Sequence, residues 1–228
     1  MNLDDKIAAT VAVLREATEQ YQNVCFANSL GAEDMVLTDL IAQHGLNIQA
    51  FSLDTGRLPA ETYDLIAALG NRYPLKLKLY FPDHTLVEEY VARHGINGFY
   101  NSVEERKGCC FVRKVEPLRR ALAGKDAWIT GMRRDQAVTR GSLSASEWDA
   151  AHHLQKFNPL IEWTNAEVWQ YIKQNEVPYN QLHDQFYPSI GCAPCTRAIS
   201  AGEDIRAGRW WWESAELKEC GLHLAGKG

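Results

Sequence analysis

Val24-Cys25-Phe26-Ala27-Asn28-Ser29-Leu30-Gly31-Ala32-Glu33-Asp34 is the stretch from which the fold of this 228-residue chain can be read. Its four apolar residues suit a short buried strand, Asn28 to Gly31 supply turn chemistry, and Ala32 to Gln43 read as a helix that Gly45 ends. The same order then repeats. Ile48 to Leu53 is a second strand, Asp54-Thr55-Gly56-Arg57 a turn, Pro59 to Asn71 a helix opened by proline, and Leu75 to Phe81 a third strand. Upstream, Ile7, Val11 and Leu14 fall at helical spacing behind Asp4, which predicts a first helix over residues 5–20. Downstream, a helix around Val115 to Leu122 leads into a fourth strand at Ala127 to Thr130. Strand, turn and helix in alternation imply right-handed crossovers and an α/β fold with a doubly wound, mostly parallel, Rossmann-like sheet. There is no internal repeat and no low-complexity segment.

The bulk properties narrow the function. Lys and Arg number 24 against 29 Asp and Glu, a net charge of -5, so bulk attraction to nucleic acid or to an acidic membrane is not expected. Any anion site must therefore be local. No apolar run approaches the roughly 20 residues of a membrane span, and Met1-Asn2-Leu3-Asp4-Asp5-Lys6 has no secretory character. A cytoplasmic protein is expected, organised as one nucleotide-binding domain over residues 1–200 and a mobile tail over residues 201–228. In a reducing compartment its six cysteines are ligands or catalysts rather than structural disulfides.

In a doubly wound sheet, ligands bind where turns leave the carboxyl ends of strands. Ser29 and Gly31 follow the first strand and open a helix whose amides and dipole suit an anion. Asp54, Thr55 and Gly56 occupy the matching end of the next strand. Either turn alone is an ordinary helix cap; the two together mark a candidate site.

The cysteines carry the chemistry. Cys109 and Cys110 are adjacent, and Cys192-Ala193-Pro194-Cys195 forms a Cys-x-x-Cys. A four-thiolate zinc site ordinarily uses two spaced Cys-x(2-4)-Cys pairs, because both sulfurs of each must reach one ion. Neighbouring cysteines suit that poorly, whereas an iron-sulfur cluster offers several irons at separate corners. Cys25, inside the first strand, reads as core. Cys220, alone in a charged run near the end of the sequence, reads as a reactive thiol.

Seven ordered motifs bring the chain close to a known family. Ser29-Leu30-Gly31-Ala32-Glu33-Asp34, Leu53-Asp54-Thr55-Gly56-Arg57-Leu58, Cys109-Cys110-Phe111-Val112-Arg113-Lys114, Gly131-Met132-Arg133-Arg134-Asp135-Gln136, Gly191-Cys192-Ala193-Pro194-Cys195-Thr196-Arg197, Arg206-Ala207-Gly208-Arg209-Trp210-Trp211-Trp212 and Glu219-Cys220-Gly221-Leu222-His223 together resemble the assimilatory adenylyl-sulfate (adenosine 5'-phosphosulfate) reductases. Their fold is like that of the PP-loop ATP pyrophosphatases. The resemblance implies reduction of the phosphosulfate to sulfite and AMP beside a 4Fe-4S cluster held by Cys109, Cys110, Cys192 and Cys195. It implies Cys220 as the nucleophile, carrying sulfonate as a thiosulfonate until a separate thioredoxin or glutaredoxin releases sulfite.

A phosphosulfate bound to a net-acidic protein needs placed cations, for which Lys114, Arg133, Arg134, Arg206 and Arg209 are the candidates. Lys114, four residues after Cys110, would share a helix face with it. Arg197 stands evenly between site and surface. The Trp210-Trp211-Trp212 run suits anchoring by burial better than stacking on adenine. Adjacent His152 and His153 read as structural residues of a strand. Three other functions compete: a reductase acting on the 3'-phosphorylated nucleotide or on both, a tRNA-thiolating PP-loop enzyme, and a nucleotide-binding regulatory protein with structural zinc. The thiolating loop requires Ser-Gly-Gly-x-Asp-Ser, and here Leu30 and Asp34 stand at a glycine and the final serine position. The regulatory protein would leave Cys220 without purpose. The sequence leaves oligomeric state open, a homo-oligomer included.

Overall fold

The computed structural model describes residues 2–136 and 143–214. Cys220 and the second half of the expected tail, residues 215–228, lie outside these residues. Strands β1 (Val24–Ala27), β2 (Gln49–Leu53), β3 (Lys78–Tyr80), β4 (Ala127–Ile129), β5 (Ser146–Asp149) and β6 (Leu154–Phe157) form one sheet in the order β3-β2-β1-β4-β6-β5. Helices α1 (Leu3–Gln20), α2 (Ala32–Gln43) and α3 (Ala60–Arg72) alternate with the first strands, α4 (His84–His94), α5 (Val103–Cys110) and α6 (Glu116–Leu122) all fall between β3 and β4, and α7 (Asn165–Gln174) follows β6. β1 pairs in parallel with β2 on one side and β4 on the other, and β4 pairs in parallel with β6. Strand order therefore reverses between β1 and β4, the switch point at which such sheets bind ligands.

Two differences from the sequence reading have local causes. The third strand is shorter than expected, because only Lys78 to Tyr80 pair. His152 and His153 are not in a strand. They belong to the tight turn joining antiparallel β5 and β6, where His153 has a φ of 55° and His152 Nδ1 sits 3.0 Å from an Asp149 carboxylate oxygen. Their structural role stands, but through turn chemistry.

The residues divide into two compact units that the chain enters more than once. The first holds residues 1–52, 64–78 and 122–180, and the second residues 53–63, 79–121 and 181–228. In the first, β1, β2 and β4 present Phe26, Ala50 and Ile129 to a core shared with α1, α2 and α7. Helix α2 is buried almost all round, so its polar residues are paired internally: Asp39 accepts from Tyr73 at 2.9 Å and from Tyr171 at 2.7 Å. Burial, reinforced by the Asp39 charge, pushes both phenols well above the usual tyrosine range. Capping boxes at Asn2/Asp5 and Thr164/Glu167 start α1 and α7. Cys25 is fully buried, and burial pushes its thiol up to about 12, as suits packing. In the second unit, Tyr90, Phe99 and Trp210 gather with three buried cysteines into a separate apolar cluster. Among the described residues no helix is long and apolar enough to cross a membrane.

Candidate active site

In the second unit, α5 begins at Ser102, whose hydroxyl accepts from the Glu105 N–H at 3.1 Å, and it ends on the cysteine pair. The helix does not stop there. Phe111–Val115 forms one wider π-helical turn, closed by the Glu116 N–H donating to the Phe111 carbonyl, before α6 continues. Such turns recur at functional sites because they carry one extra residue and re-aim the side chains beyond it. Arg113 and Lys114 lie within this turn.

The second cysteine pair is placed by a hydrogen-bonded loop. A 3-10 turn over Ala193–Cys195 contains Pro194. The Cys195 N–H donates to the Cys192 carbonyl at 2.9 Å, and the Thr196 hydroxyl to the same carbonyl at 3.0 Å. Thr196 bridges to Arg209, and the Trp210 N–H donates to the Cys195 carbonyl at 3.2 Å. Gly208 allows this approach: a Cβ there would stand 2.3 Å from the Arg197 carbonyl oxygen.

The result is a cavity on which Cys109, Cys110, Cys192 and Cys195 all border, together with Arg113 and Lys114. Cys109, Cys192 and Cys195 are buried and Cys110 half-buried. Among the described residues no three Cys, His, Asp or Glu side chains close on a single-ion site.

Their electrostatics are divided. Burial, then the neighbouring Cys192 and Cys110 charges, pushes the Cys195 thiol up to about 12. Burial also raises Cys109, against the pull of Arg113. Burial pushes Cys192 up too, but Lys114, a hydrogen bond with Thr55, Arg209 and Arg113 together hold it below the usual thiol range. The Thr55 Oγ1 to Cys192 Sγ distance is 3.2 Å.

Asp54, Thr55 and Gly56 therefore belong to the cysteine neighbourhood itself. Asp54 accepts from the Gly56 N–H at 2.8 Å and from the Tyr63 hydroxyl at 2.9 Å, and Gly56 has a φ of 70°, a conformation that favours glycine. Arg113 Nη1 donates to the Thr55 carbonyl at 2.7 Å. Arg209 is buried with its guanidinium 4.7 Å from the Trp210 ring, and Arg206, half-buried, accepts the Arg209 N–H through its carbonyl. Arg197 pairs with Glu203 through two bonds of 2.9 and 3.0 Å.

Sequence reasoning missed one buried pair. Arg106 on α5 holds Glu213 through bonds of 2.9 and 2.8 Å, with side chains only 1% and 3% exposed, while its guanidinium lies 4.6 Å from the Trp210 ring. No local signal could have joined residues so far apart in sequence. Trp210 is buried as expected of an anchor, and Trp211 is exposed.

The first unit carries the other candidates, at its own switch point. Ser29 and Gly31 open α2, with Leu30 between them at a φ of 64°. Asn28 supports that strained residue by accepting the Leu30 N–H at 2.7 Å. Arg133 is buried, with Nε and Nη2 at 2.9 and 2.8 Å from one Glu33 carboxylate oxygen. Arg134 pairs with Glu162 at 2.5 Å. Both arginines thus have carboxylate partners in the first unit.

An α/β sheet with a helix-opening loop at its switch point, and a cysteine-walled, cation-faced cavity, defines a nucleotide-binding enzyme that handles sulfur. A family profile described as the phosphoadenosine phosphosulfate reductase domain matches residues 23–198, and the chain belongs to that family. It is 55% identical to the adenosine 5'-phosphosulfate reductase of Allochromatium vinosum, over 97% of this chain and 86% of that protein. Among solved structures, it superposes on the phosphoadenylyl-sulfate reductase of Candida auris in a phosphate complex. That match has a TM-score of 0.72 and 30% identity, and covers 83% of this chain and 90% of that one. A yeast FAD synthetase shares the fold alone, with a TM-score of 0.59 and 14% identity over 86% of this chain and 67% of that one.

Proposed function

We propose that this protein reduces adenosine 5'-phosphosulfate to sulfite and AMP in assimilatory sulfate reduction, with electrons from a cytoplasmic thioredoxin or glutaredoxin. The observation that carries the reading is the single cavity bordered by Cys109, Cys110, Cys192 and Cys195 and faced by cations. Those residues fit a 4Fe-4S cluster. Four sulfur donors border one cavity, and the fully buried Trp210 has an indole N–H without an acceptor, a donor suited to sulfur. When bound, the cluster draws all four thiols into the thiolate form and offsets the repulsion among them.

The remaining chemistry belongs to the chain. Lys114, Arg206 and Arg209 hold the phosphosulfate, and Ser29, Gly31, Asp54, Thr55 and Gly56 serve the nucleotide. Arg133 and Arg134 contribute to the anion by exchanging the carboxylates they now hold. The Cys220 thiolate attacks the sulfate sulfur, the bond to the phosphate oxygen breaks, and AMP leaves with that electron pair. A thiolate of the reductant then attacks the Cys220 sulfur and expels sulfite. The reductant's second thiol closes its own disulfide and returns Cys220 as a thiolate. Splitting the reaction in this way lets the first half proceed without reductant.

The test is single-turnover. Anaerobically purified protein mixed with adenosine 5'-phosphosulfate alone should release AMP and add one sulfonate to the peptide containing Cys220, and thioredoxin should remove it as sulfite. A label on Cys25, or sulfite formed at the wild-type rate by Cys220→Ser, would overturn the mechanism. Higher catalytic efficiency on the 3'-phosphorylated nucleotide would transfer the assignment to that substrate.

A further inference from the structure

The buried pair of Arg106 and Glu213 stands where the cysteine cavity meets the chain that leads to Cys220. Arg106 and Cys110 are four residues apart on α5, the spacing that puts two side chains on one helix face, and Arg106 donates a side-chain hydrogen bond to the Cys110 sulfur. The same guanidinium holds both oxygens of Glu213, through Nε to Oε1 at 2.9 Å and through Nη2 to Oε2 at 2.8 Å. It also lies 4.6 Å from the Trp210 ring, and the guanidinium of Arg209, one of the candidate anion-holding cations, lies 4.7 Å from that ring.

The segment this pair holds is short and fixed at both ends. The Trp210 N–H donates to the Cys195 carbonyl at 3.2 Å, and the Glu213 N–H donates to the Trp210 carbonyl at 2.9 Å. Glu213 precedes Cys220 by seven residues in the sequence. A chain of that length reaches at most about 25 Å, so the point from which Cys220 can reach is set where Glu213 is held. Stability alone does not call for this arrangement. Apolar side chains of the same volume often stabilise an interior as well as a buried ion pair does, and what the pair adds is a fixed geometry. Arginine suits the place because its planar fork can hold two carboxylate oxygens, a sulfur and the face of an indole together, whereas lysine offers a single nitrogen.

We propose that Arg106 is a positioning residue: by bonding Cys110 and Glu213 at once, it couples the cysteine cavity to the placement of residues 210–213 and so of the chain that leads to Cys220. The step it serves is the attack of Cys220 on the sulfate sulfur, and for that step the inference rests on the reductase reading. The hold of Arg106 on residues 210–213 does not depend on it.

Two variants, purified anaerobically and compared with wild type, test this. Glu213→Gln keeps the shape of the side chain and one acceptor while removing the charge, and Arg106→Lys keeps a charge while removing the planar fork. Amide hydrogen exchange, read by mass spectrometry of the peptide spanning residues 210–213, should be about tenfold faster or more in each, the ratio that corresponds to one weakened charge-assisted hydrogen bond. The visible circular dichroism of the bound cluster should change in Glu213→Gln, although Glu213 is not among the residues that line the cavity. In a single turnover with adenosine 5'-phosphosulfate alone, AMP release at saturating substrate should slow about tenfold or more, while the half-saturating concentration stays within about twofold of wild type. Where Arg106→Lys does not fold, the isosteric Glu213→Gln carries the test. Exchange at the wild-type rate in the folded variants overturns the proposal, as does cluster dichroism identical to wild type in Glu213→Gln, or a loss confined to the half-saturating concentration. Wild-type protein that holds no iron or releases no AMP would defeat the reductase reading instead, and the exchange measurement, which needs neither, would still decide whether Arg106 holds this segment.

Discussion

The start of α2 in the first unit and the cysteine cavity of the second answer the same problem of buried charge in opposite ways. At the start of α2, donors and negative charge are both supplied by the chain, so Ser29, Gly131 and Asp34 close on one another. In the cavity the chain supplies four sulfurs and an excess of cations around them. Cys192 is held low while Cys109 and Cys195 are raised, so burial and the neighbouring cations act unequally on the four thiols. The first arrangement satisfies its own donors from within the chain. The second leaves four thiols facing one cavity, which on the proposed reading a cluster would occupy.

Four experiments can break or sharpen that contrast. The largest effect is expected at the cavity wall. Replacing any one of Cys109, Cys110, Cys192 or Cys195 by Ser should abolish the iron-sulfur absorbance of anaerobically purified protein and its reductase activity together. Stoichiometric zinc in colourless, fully active wild-type protein would break the comparison outright. Next, Glu213→Ala removes the carboxylate that the buried Arg106 holds through two hydrogen bonds, which should cost about 3–5 kcal/mol in urea unfolding of the purified protein. Urea midpoints that coincide with wild type would show that this pair does not brace the cavity.

A smaller change follows at Thr55. Thr55→Val removes the hydroxyl bonded to Cys192 Sγ and the acceptor of the Arg57 N–H, and should destabilise the protein by about 1 kcal/mol per bond. It should also raise the rate at which oxygen bleaches the cluster, read at its visible absorbance. An unchanged bleaching rate would remove Thr55 from the ligand set's support.

The most gradual effect, spread over several pH units, is in the pH dependence of stability. Burial, resisted by the Ser29 and Gly131 hydrogen bonds, raises the Asp34 carboxyl to about 7, so folded protein keeps a proton there that unfolded protein has released. Stability therefore falls as pH rises from about 4 to about 7, by at most about 1.4 kcal/mol per pH unit, and is level in this respect above 7. Asp34→Asn should remove that slope. Parallel stability profiles for the two proteins across this range would place the Asp34 proton elsewhere.

What was legible in the sequence follows how local each signal is. The run from Val24 to Asp34 announced a strand, a loop and a helix because apolar residues, turn formers and a helical stretch are contiguous there. Cys109, Cys110, Cys192 and Cys195 were legible as a set because thiols are few and their spacing is chemically restrictive. The hairpin of β5 and β6 was not, since Ser146-Glu147-Trp148-Asp149 has neither a long apolar run nor β-branched residues. Arg133 read as a surface cation because its Glu33 partner is supplied by the first turn of α2, far away in sequence, and the same distance hid Arg106 and Glu213. Thr55 was assigned to the nucleotide from its motif, and only coordinates could show its hydroxyl on a cysteine sulfur.

The π-helical turn at Phe111–Val115 acts on this site as a phase shift. In a regular α-helix each residue advances the side-chain direction by about 100°, so one extra residue resets the heading of everything after it by that amount. The thiol pair lies before the shift and Arg113 and Lys114 lie within it. Which way positive charge faces relative to sulfur is thus fixed by a count of residues as much as by their identity. A chain shortened by one residue in that turn would keep every cysteine and every cation, yet it would point the charge away from the thiols.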